Sequence, residues 1–184
     1  SIDGAYTSVY HYDAATSTWL LYDATVVNEQ PAFAPLVNEL TNLETNKGYW
    51  LYATEAITGY LGVAGANGLD VANQQFPPAT YYGYVLPQED FQPTAGMSIS
   101  AWVNGVNCGQ GKVELLDGQL AYTVQIESED SSGRCGALGK AITFQIGEWT
   151  MAQQPSWDNA QAQFLTLTSA AVTQSLYLPF IVRP

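Results

Sequence analysis

Residues 97–105 read MSISAWVNG, and this short stretch decides the fold class of the chain. Every second residue from Met97 to Val103 is apolar, and the residues between them are polar apart from Trp102. This period of two predicts a β-strand with one buried and one solvated face. The pair Asn104-Gly105 that follows is typical of a two-residue hairpin turn. The stretch therefore predicts one arm of an antiparallel hairpin.

The same alternation recurs further along the second half of the chain. Residues 122–126 and 142–146 again alternate apolar with polar side chains, and Asp117-Gly118 is a second hairpin turn. Alternation of this kind is typical of antiparallel sheets with one buried face. The second half is therefore predicted to be an immunoglobulin-like β-sandwich.

The first half also favours strands. Residues 8–12 and 18–22 flank a polar connector of hairpin length and predict a hairpin with an aromatic face. Residues 49–52 follow a turn at 46–48 and predict a further strand. Apolar spacing between residues 31 and 40 predicts one short helix, the only one expected.

Two stretches between the halves contain residues that interrupt strands. Residues 62–68 are rich in Gly and Ala, and residues 74–80 include Pro77-Pro78. We therefore predict an all-β protein of two sandwich-like modules. The first, residues 1–72, is an aromatic β module, and the second, residues 73–184, is immunoglobulin-like and ends in an apolar strand.

Composition excludes several classes of partner. The 184 residues are 47% hydrophobic and only 12% charged, which indicates a folded chain. Five Lys and Arg against seventeen Asp and Glu give a net charge of −12. Such a charge disfavours nucleic acid and anionic membranes as partners. No motif in the sequence requires a cofactor.

The two cysteines, Cys108 and Cys135, are each followed by glycine. A zinc site is not expected because the chain has no other cysteine and only one histidine. A disulfide is the favoured interpretation, and two buried free thiols are the alternative. The chain begins at Ser1 without a basic or apolar leader, so we expect a processed, secreted product.

The C-terminal residues 176–182 read LYLPFIV and form a nearly continuous apolar run. This run is far shorter than the roughly 20 apolar residues that span a bilayer, so no membrane insertion is expected. Its β-branched and aromatic residues favour a strand, and Pro179 favours an edge position. The strand either closes the sheet of its own subunit or adds to the sheet of a neighbour.

Several segments resemble known modules. Residues 4–13, 18–19 and 48–50 resemble aromatic modules common in large secreted proteins of the Chloroflexota, the filamentous green bacteria. The second half resembles the immunoglobulin-like modules often found with them, at residues 82–85, 101–105, 108–109, 122–124, 135–136 and 142–144. Residues 177–183 resemble the C-termini of such proteins. The resemblance implies an extracellular or cell-surface setting. It also implies that the first module lacks one strand, because this chain starts after the place of an additional first strand.

A sheet that lacks a strand exposes an edge and a hydrophobic groove. We therefore expect the tail to join subunits head to tail into a pilus-like homopolymer. Its interface residues are Leu176, Tyr177, Leu178, Phe180, Ile181 and Val182. The alternative is that the tail is an ordinary last strand of its own sandwich.

A carbohydrate-binding or adhesive module is the main rival function. Outward-facing aromatic rings on a β-sandwich stack on sugars, and Trp102 and Trp50 are the candidates for contact with a surface polysaccharide. The alternative is that the aromatic residues fill the core and the subunit contacts.

Evidence for an enzyme is weak, so no catalytic residue is predicted. His11 lies between two tyrosines without a nucleophile motif beside it. The acidic residues Glu89-Asp90 and those of the segment 127–131 are better explained as solvated loop charges than as glycosidase carboxylates. Calcium binding by the segment 127–131 is a further alternative, although that segment lacks the ligand spacing of a calcium loop.

Overall fold

The computed structural model describes residues 4–55 and 76–171. In these ranges the chain forms a three-stranded and a seven-stranded β-sheet. The strands are β1 (Tyr6–Asp13), β2 (Thr18–Asp23), β3 (Trp50–Ala53), β4 (Ala79–Tyr84), β5 (Ser98–Val103), β6 (Val106–Leu116), β7 (Gln119–Ile126), β8 (Ile142–Ile146), β9 (Trp149–Thr150) and β10 (Gln163–Phe164). The predicted all-β, sandwich-like fold is confirmed.

The three-stranded sheet has the order β2-β1-β3, with both pairings antiparallel. The predicted hairpin is present, and its register pairs Asp13 with Thr18. Asp13 stabilises the turn because its carboxylate accepts hydrogen bonds from the Ala15 N–H and the Thr16 hydroxyl, both at 3.0 Å. These bonds hold the pKa of Asp13 below its ordinary value.

Three short helical segments follow β2. They are α1 (Ala24–Glu29), a 3₁₀ turn (Pro31–Phe33) and α2 (Ala34–Val37). The predicted helix at residues 31–40 corresponds to the 3₁₀ turn and α2, but the helical conformation ends at Val37. The helix α1 was not predicted, because its β-branched residues Thr25, Val26 and Val27 disfavour a helix. It begins at the cap formed by Asp23.

The seven-stranded sheet has the order β10-β4-β7-β6-β5-β8-β9. Its predicted alternation is present: Ile99, Ala101 and Val103 are buried, and Trp102 lies on the other face of β5. Asn104 and Gly105 both have positive φ, at 49° and 79°, as the mirror-image hairpin turn requires. The Asp117-Gly118 turn has the same geometry, with φ of 50° and 81°.

The ends of this sheet are joined to each other. Leu165 and Leu167 donate backbone hydrogen bonds of 2.8 Å to β4, whereas the Ala170 N–H donates at 2.8 Å to Thr150 in β9. An isolated bridge between Met151 and Ser169 extends the second contact. Residues 163–170 therefore connect the two edges, and the sheet closes around its own core.

Two hydrophobic clusters lie in the described part of the chain. One fills the closed sheet, where Phe144 packs against Tyr81 and Tyr122 at ring distances of 5.6 and 6.3 Å. The other lies between the sheets and includes Tyr10 and Tyr82. The two sheets thus share a core. The predicted module boundary at residue 72 lies outside the described residues and stays a prediction.

The Cys108–Cys135 disulfide is present, with a Cα–Cα distance of 5.4 Å, so the alternative of free thiols is wrong. Trp157 covers this region, and its indole N–H donates to the Ile126 carbonyl at 3.0 Å. Gly136 lies directly under the indole, since a Cβ at this position would be 2.0 Å from the ring.

Candidate functional site

The three-stranded sheet presents its two faces to different environments. The inner face packs on the seven-stranded sheet through Tyr10, Trp19 and Leu21, which are all buried. Side chains from the opposite face include Val9 and its cross-strand partner Tyr22. The apolar pair Val9 and Tyr22 is unusual on a face that further along carries His11, Asp13 and Thr18.

An apolar groove of about 170 Å³ follows this outer face. One wall is formed by the sheet residues Tyr6, Val9 and Tyr22, and the rings of Tyr6 and Tyr22 lie 6.4 Å apart. The other wall is the segment 40–43, in which Leu43 is 65% exposed. An exposed leucine beside a groove lined by aromatic rings is a feature of surfaces that bind another apolar segment.

Hydrogen bonds position the wall at residues 40–43 against β2. The Leu40 N–H donates to the Leu21 carbonyl at 3.0 Å. Two residues earlier, the Asn38 side chain accepts from the Asp23 N–H and donates to the Asp23 carbonyl, at 2.9 and 3.0 Å. These bonds cover the outer edge of β2, so the wall is fixed relative to the sheet. Burial raises the pKa of the intervening Glu39.

The other edge of this sheet is β3, which is hydrogen-bonded on one side only within residues 4–55 and 76–171. The Thr54 N–H donates to the Ala5 carbonyl at 2.9 Å, so it is directed towards β1. Because N–H groups alternate in direction along a strand, those of Leu51 and Ala53 are directed away from β1. Among the described residues these outward N–H groups have no strand partner, and groups of this kind can pair with an added strand.

The described residues cover only part of the predicted interface and glycan sites. The tail interface, Leu176 to Val182, lies outside them. Trp102 lies on the outward face of β5, where its indole N–H donates to the Ser100 hydroxyl at 2.9 Å. Trp50 belongs to β3 and packs on the ring of Phe76 at 5.4 Å. The structure does not bring Trp102 and Trp50 together into one site.

His11 and the acidic residues form local contacts. The His11 Nδ1–H donates to the Gly48 carbonyl at 2.9 Å, and its ring packs on Tyr49. Glu129 bonds Lys140 at 2.8 Å. The pKa of Asp130 lies well below its usual range, because its carboxylate accepts hydrogen bonds from Ser132 and is paired with Arg134. Two carboxylates of the proposed calcium segment are thus paired with cations.

Two observations concern the broader class of protein. Within residues 4–55 and 76–171 there is no cluster of three or more His, Cys, Asp or Glu residues arranged to hold a metal ion. The same ranges contain no helix with the length and apolar character needed to cross a membrane.

In comparisons with models of protein families, with curated proteins and with solved structures, no match to this chain was found.

The sequence analysis predicted an open sheet edge but not the residues that form the groove. Leu40 falls at the end of the helix predicted for residues 31–40, and Leu43 lies in the polar segment TNLETNKG, residues 41–48, which has no strand or helix periodicity. The isolated Leu43 was the available indication, because an apolar residue in a polar loop needs a partner. Its partner strand could not be identified from local sequence.

Proposed function

We propose that this chain is a secreted structural subunit that polymerises head to tail into a pilus-like extracellular filament. The apolar tail of one copy, residues 176–182, adds as a strand along the open edge of β3 in the next copy. The observation on which the proposal mainly rests is the edge of β3, which is hydrogen-bonded on one side only within residues 4–55 and 76–171. Strand addition requires an edge of this kind.

The closed seven-stranded sheet supports this assignment of the acceptor. Its two edges are already joined by residues 163–170, which precede the tail in the chain. Within the part of the chain that the structure describes, the larger sheet therefore has no open edge along this length. Among the described residues, the edge of β3 is the remaining candidate to accept the added strand.

The sequence of the tail is suited to an added strand. In an added strand alternate side chains share one face. Leu178 and Phe180 would therefore lie together on one face, and Tyr177 and Ile181 together on the other, so that both faces are apolar. Pro179 lacks an N–H, which is tolerated when the strand pairs on one side only. Backbone hydrogen bonds supply affinity in such a contact, and the pockets for alternate side chains supply specificity.

The extracellular part of the proposal is supported by the disulfide. Such bonds form and persist mainly in oxidising compartments. Closure of the loop between Cys108 and Cys135 contributes about 3–4 kcal/mol in the chain-entropy model. A filament subunit outside the cell would benefit from this covalent stabilisation.

The test uses two substitutions in the full chain. Leu178→Asp places a charge in the tail, and Ala53→Pro removes an N–H that is directed away from β1. Each variant alone should be monomeric in sedimentation velocity, whereas the unmodified chain should form uniform fibres by electron microscopy. The matched controls Leu178→Ile and Ala53→Val should still form fibres.

Mixing the two variants separates the proposal from a self-closing tail. The Ala53→Pro chain keeps an intact tail, and the Leu178→Asp chain keeps an intact edge, so an equimolar mixture should form a heterodimer and stop there. A tail that belongs to its own sheet predicts no association in the mixture. Failure to form the heterodimer, or fibres from either single variant, would contradict head-to-tail strand addition.

A further inference from the structure

We propose that the outward face of β5, β6, β7 and β8, with the cleft at its margin, binds a neutral, hydroxyl-rich glycan chain. We call this surface the polar face and define it by Ser100, Gln110, Thr123, Gln125, Thr143 and Gln145. It is separate from the edge of β3 used in the proposed polymer, and the inference does not depend on that function.

The polar face follows directly from strand register. Ser100 of β5 is paired with Gln110 of β6 on one side and with Gln145 of β8 on the other. The buried core face uses the alternate positions, such as Ile99 and Ala101. The result is a continuous row of hydroxyl and amide groups across three neighbouring strands, which lie about 4.8 Å apart.

The cleft is produced by incomplete coverage of the larger sheet. The three-stranded sheet packs over residues of β4 and β7, including Tyr82 and Ala121. At the margin of this covered area a cavity of about 470 Å³ lies between the segment 17–19 and the side chains of Gln110 and Gln125. Its volume is within the range of small-molecule sites, about 300–1,000 Å³.

The cleft continues into a second groove over β5, β6 and β7. This groove measures about 540 Å³ and shares Gln110 with the first cavity. Ser98, Lys112 and Thr123 are among its other lining residues. Two adjoining cavities along one row of polar groups fit an extended ligand of linked units better than a single compact molecule.

The lining groups favour a sugar chain over other ligands. Amide and hydroxyl side chains both donate and accept hydrogen bonds, as sugar hydroxyls do. The Gln125 amide is held in place because it donates to the Trp19 carbonyl at 3.1 Å. Glu127 at the cleft and the net charge of −12 disfavour acidic ligands.

Two aromatic rings lie near the cleft end of the polar face. Phe76 lies at the cleft and is 51% exposed, with its ring against Trp50 and its carbonyl accepting from the Ser128 hydroxyl at 2.8 Å. Trp102 is paired in register with Asn107, which also lines the cleft, and the hydrogen bond to Ser100 fixes the Trp102 indole. Rings held in place before binding lose little conformational entropy when a sugar stacks on them. Trp50 therefore has a positioning role, and Phe76 takes the stacking role.

The test is isothermal titration calorimetry of the full chain with cellohexaose, xylohexaose, maltohexaose and mannohexaose, with polygalacturonate as the acidic comparison. At least one neutral oligosaccharide should bind, and Gln110→Ala, Phe76→Ala and Trp102→Ala should each weaken that binding on the order of tenfold. The matched controls are Gln154→Ala and Leu138→Ala, which change exposed residues elsewhere and should leave binding unchanged.

The outcomes separate this inference from the polymer. Particle size and melting temperature should be the same for Gln110→Ala, Trp102→Ala and the unmodified chain, since neither residue lies in β3 or packs on it, whereas Phe76 contacts Trp50 of β3. Binding of none of the four neutral oligosaccharides, or of polygalacturonate alone, would overturn the inference. So would equal losses in the Gln154→Ala control.

Discussion

Among single residues, Asp23 has two structural roles. Its side chain is fully buried, and one carboxylate oxygen accepts from the Ala162 N–H at 2.6 Å, across the boundary between the sheets. The other oxygen caps α1 by accepting from the N–H groups of Thr25 and Val26 at 2.8 and 3.4 Å. One carboxylate thus holds a helix terminus and the contact between the two sheets.

We predict that Asp23→Ala lowers the free energy of unfolding by about 2–4 kcal/mol, since it removes a helix cap and leaves buried N–H donors without partners. Urea denaturation measures this loss. Asp13→Ala is the matched control, because Asp13 also accepts from the N–H two residues later but lies in an exposed turn. Equal losses in the two variants would contradict the role of Asp23 in joining the sheets.

At the scale of elements, local chemistry made some features predictable. The turns at Asn104-Gly105 and Asp117-Gly118 were predictable because positive φ favours these residue types. The alternation of β5 was predictable because a half-buried strand imposes a period of two. The positions of aromatic residues in the sequence did not show which rings are exposed. Trp50 packs on Phe76, and the exposure of Phe76 depends on packing between distant segments.

Elements formed by distant or short pairings were not predictable. The contact of β10 with β4 is parallel and joins residues about eighty positions apart, and β9 has only two residues. Neither pairing leaves a local sequence pattern. Similarly, α1 is capped by Asp23, whose other partner is the distant Ala162. Tertiary contacts therefore determine the closure of the sheet and the position of the groove.

The segment 127–136 offers a prediction for a single loop. The Lys140 ammonium donates to Glu129 at 2.8 Å and to the carbonyls of Gly133 and Cys135 at 3.1 and 3.0 Å. These bonds attach the loop to the start of β8. We predict that Lys140→Met increases local opening of the loop and so exposes the disulfide to reduction more often.

The rate of disulfide reduction by dithiothreitol under native conditions measures this effect. Reduction should be several-fold faster in Lys140→Met, because Cys108 and Cys135 are both buried unless the loop opens. Lys112→Met is the control, since Lys112 is exposed on β6. Unchanged reduction in Lys140→Met would show that the loop is held by other contacts.

For the whole molecule, the buried tyrosines predict the response to alkaline pH. Burial, together with the nearby carboxylates of Asp158 and Asp23 respectively, raises the pKa of Tyr81 and of Tyr82 from an ordinary value of 10.0 to about 12. Burial also raises the pKa of Tyr10 and Tyr122. The folded chain therefore retains protons that the unfolded chain loses above pH 10.

Since the unfolded state then binds fewer protons than the folded state, stability must fall as pH rises. The contribution of these phenols is fully present below about pH 10 and is lost progressively as the pH rises towards 12. Urea unfolding at a series of pH values should show this decline, and the phenolate absorbance should appear together with unfolding. In Tyr82→Phe the decline from pH 8 to pH 11 should be shallower than in the unmodified chain. Ionisation of the tyrosines without loss of structure would contradict this coupling, because it would mean that the phenols reach solvent while both sheets remain packed.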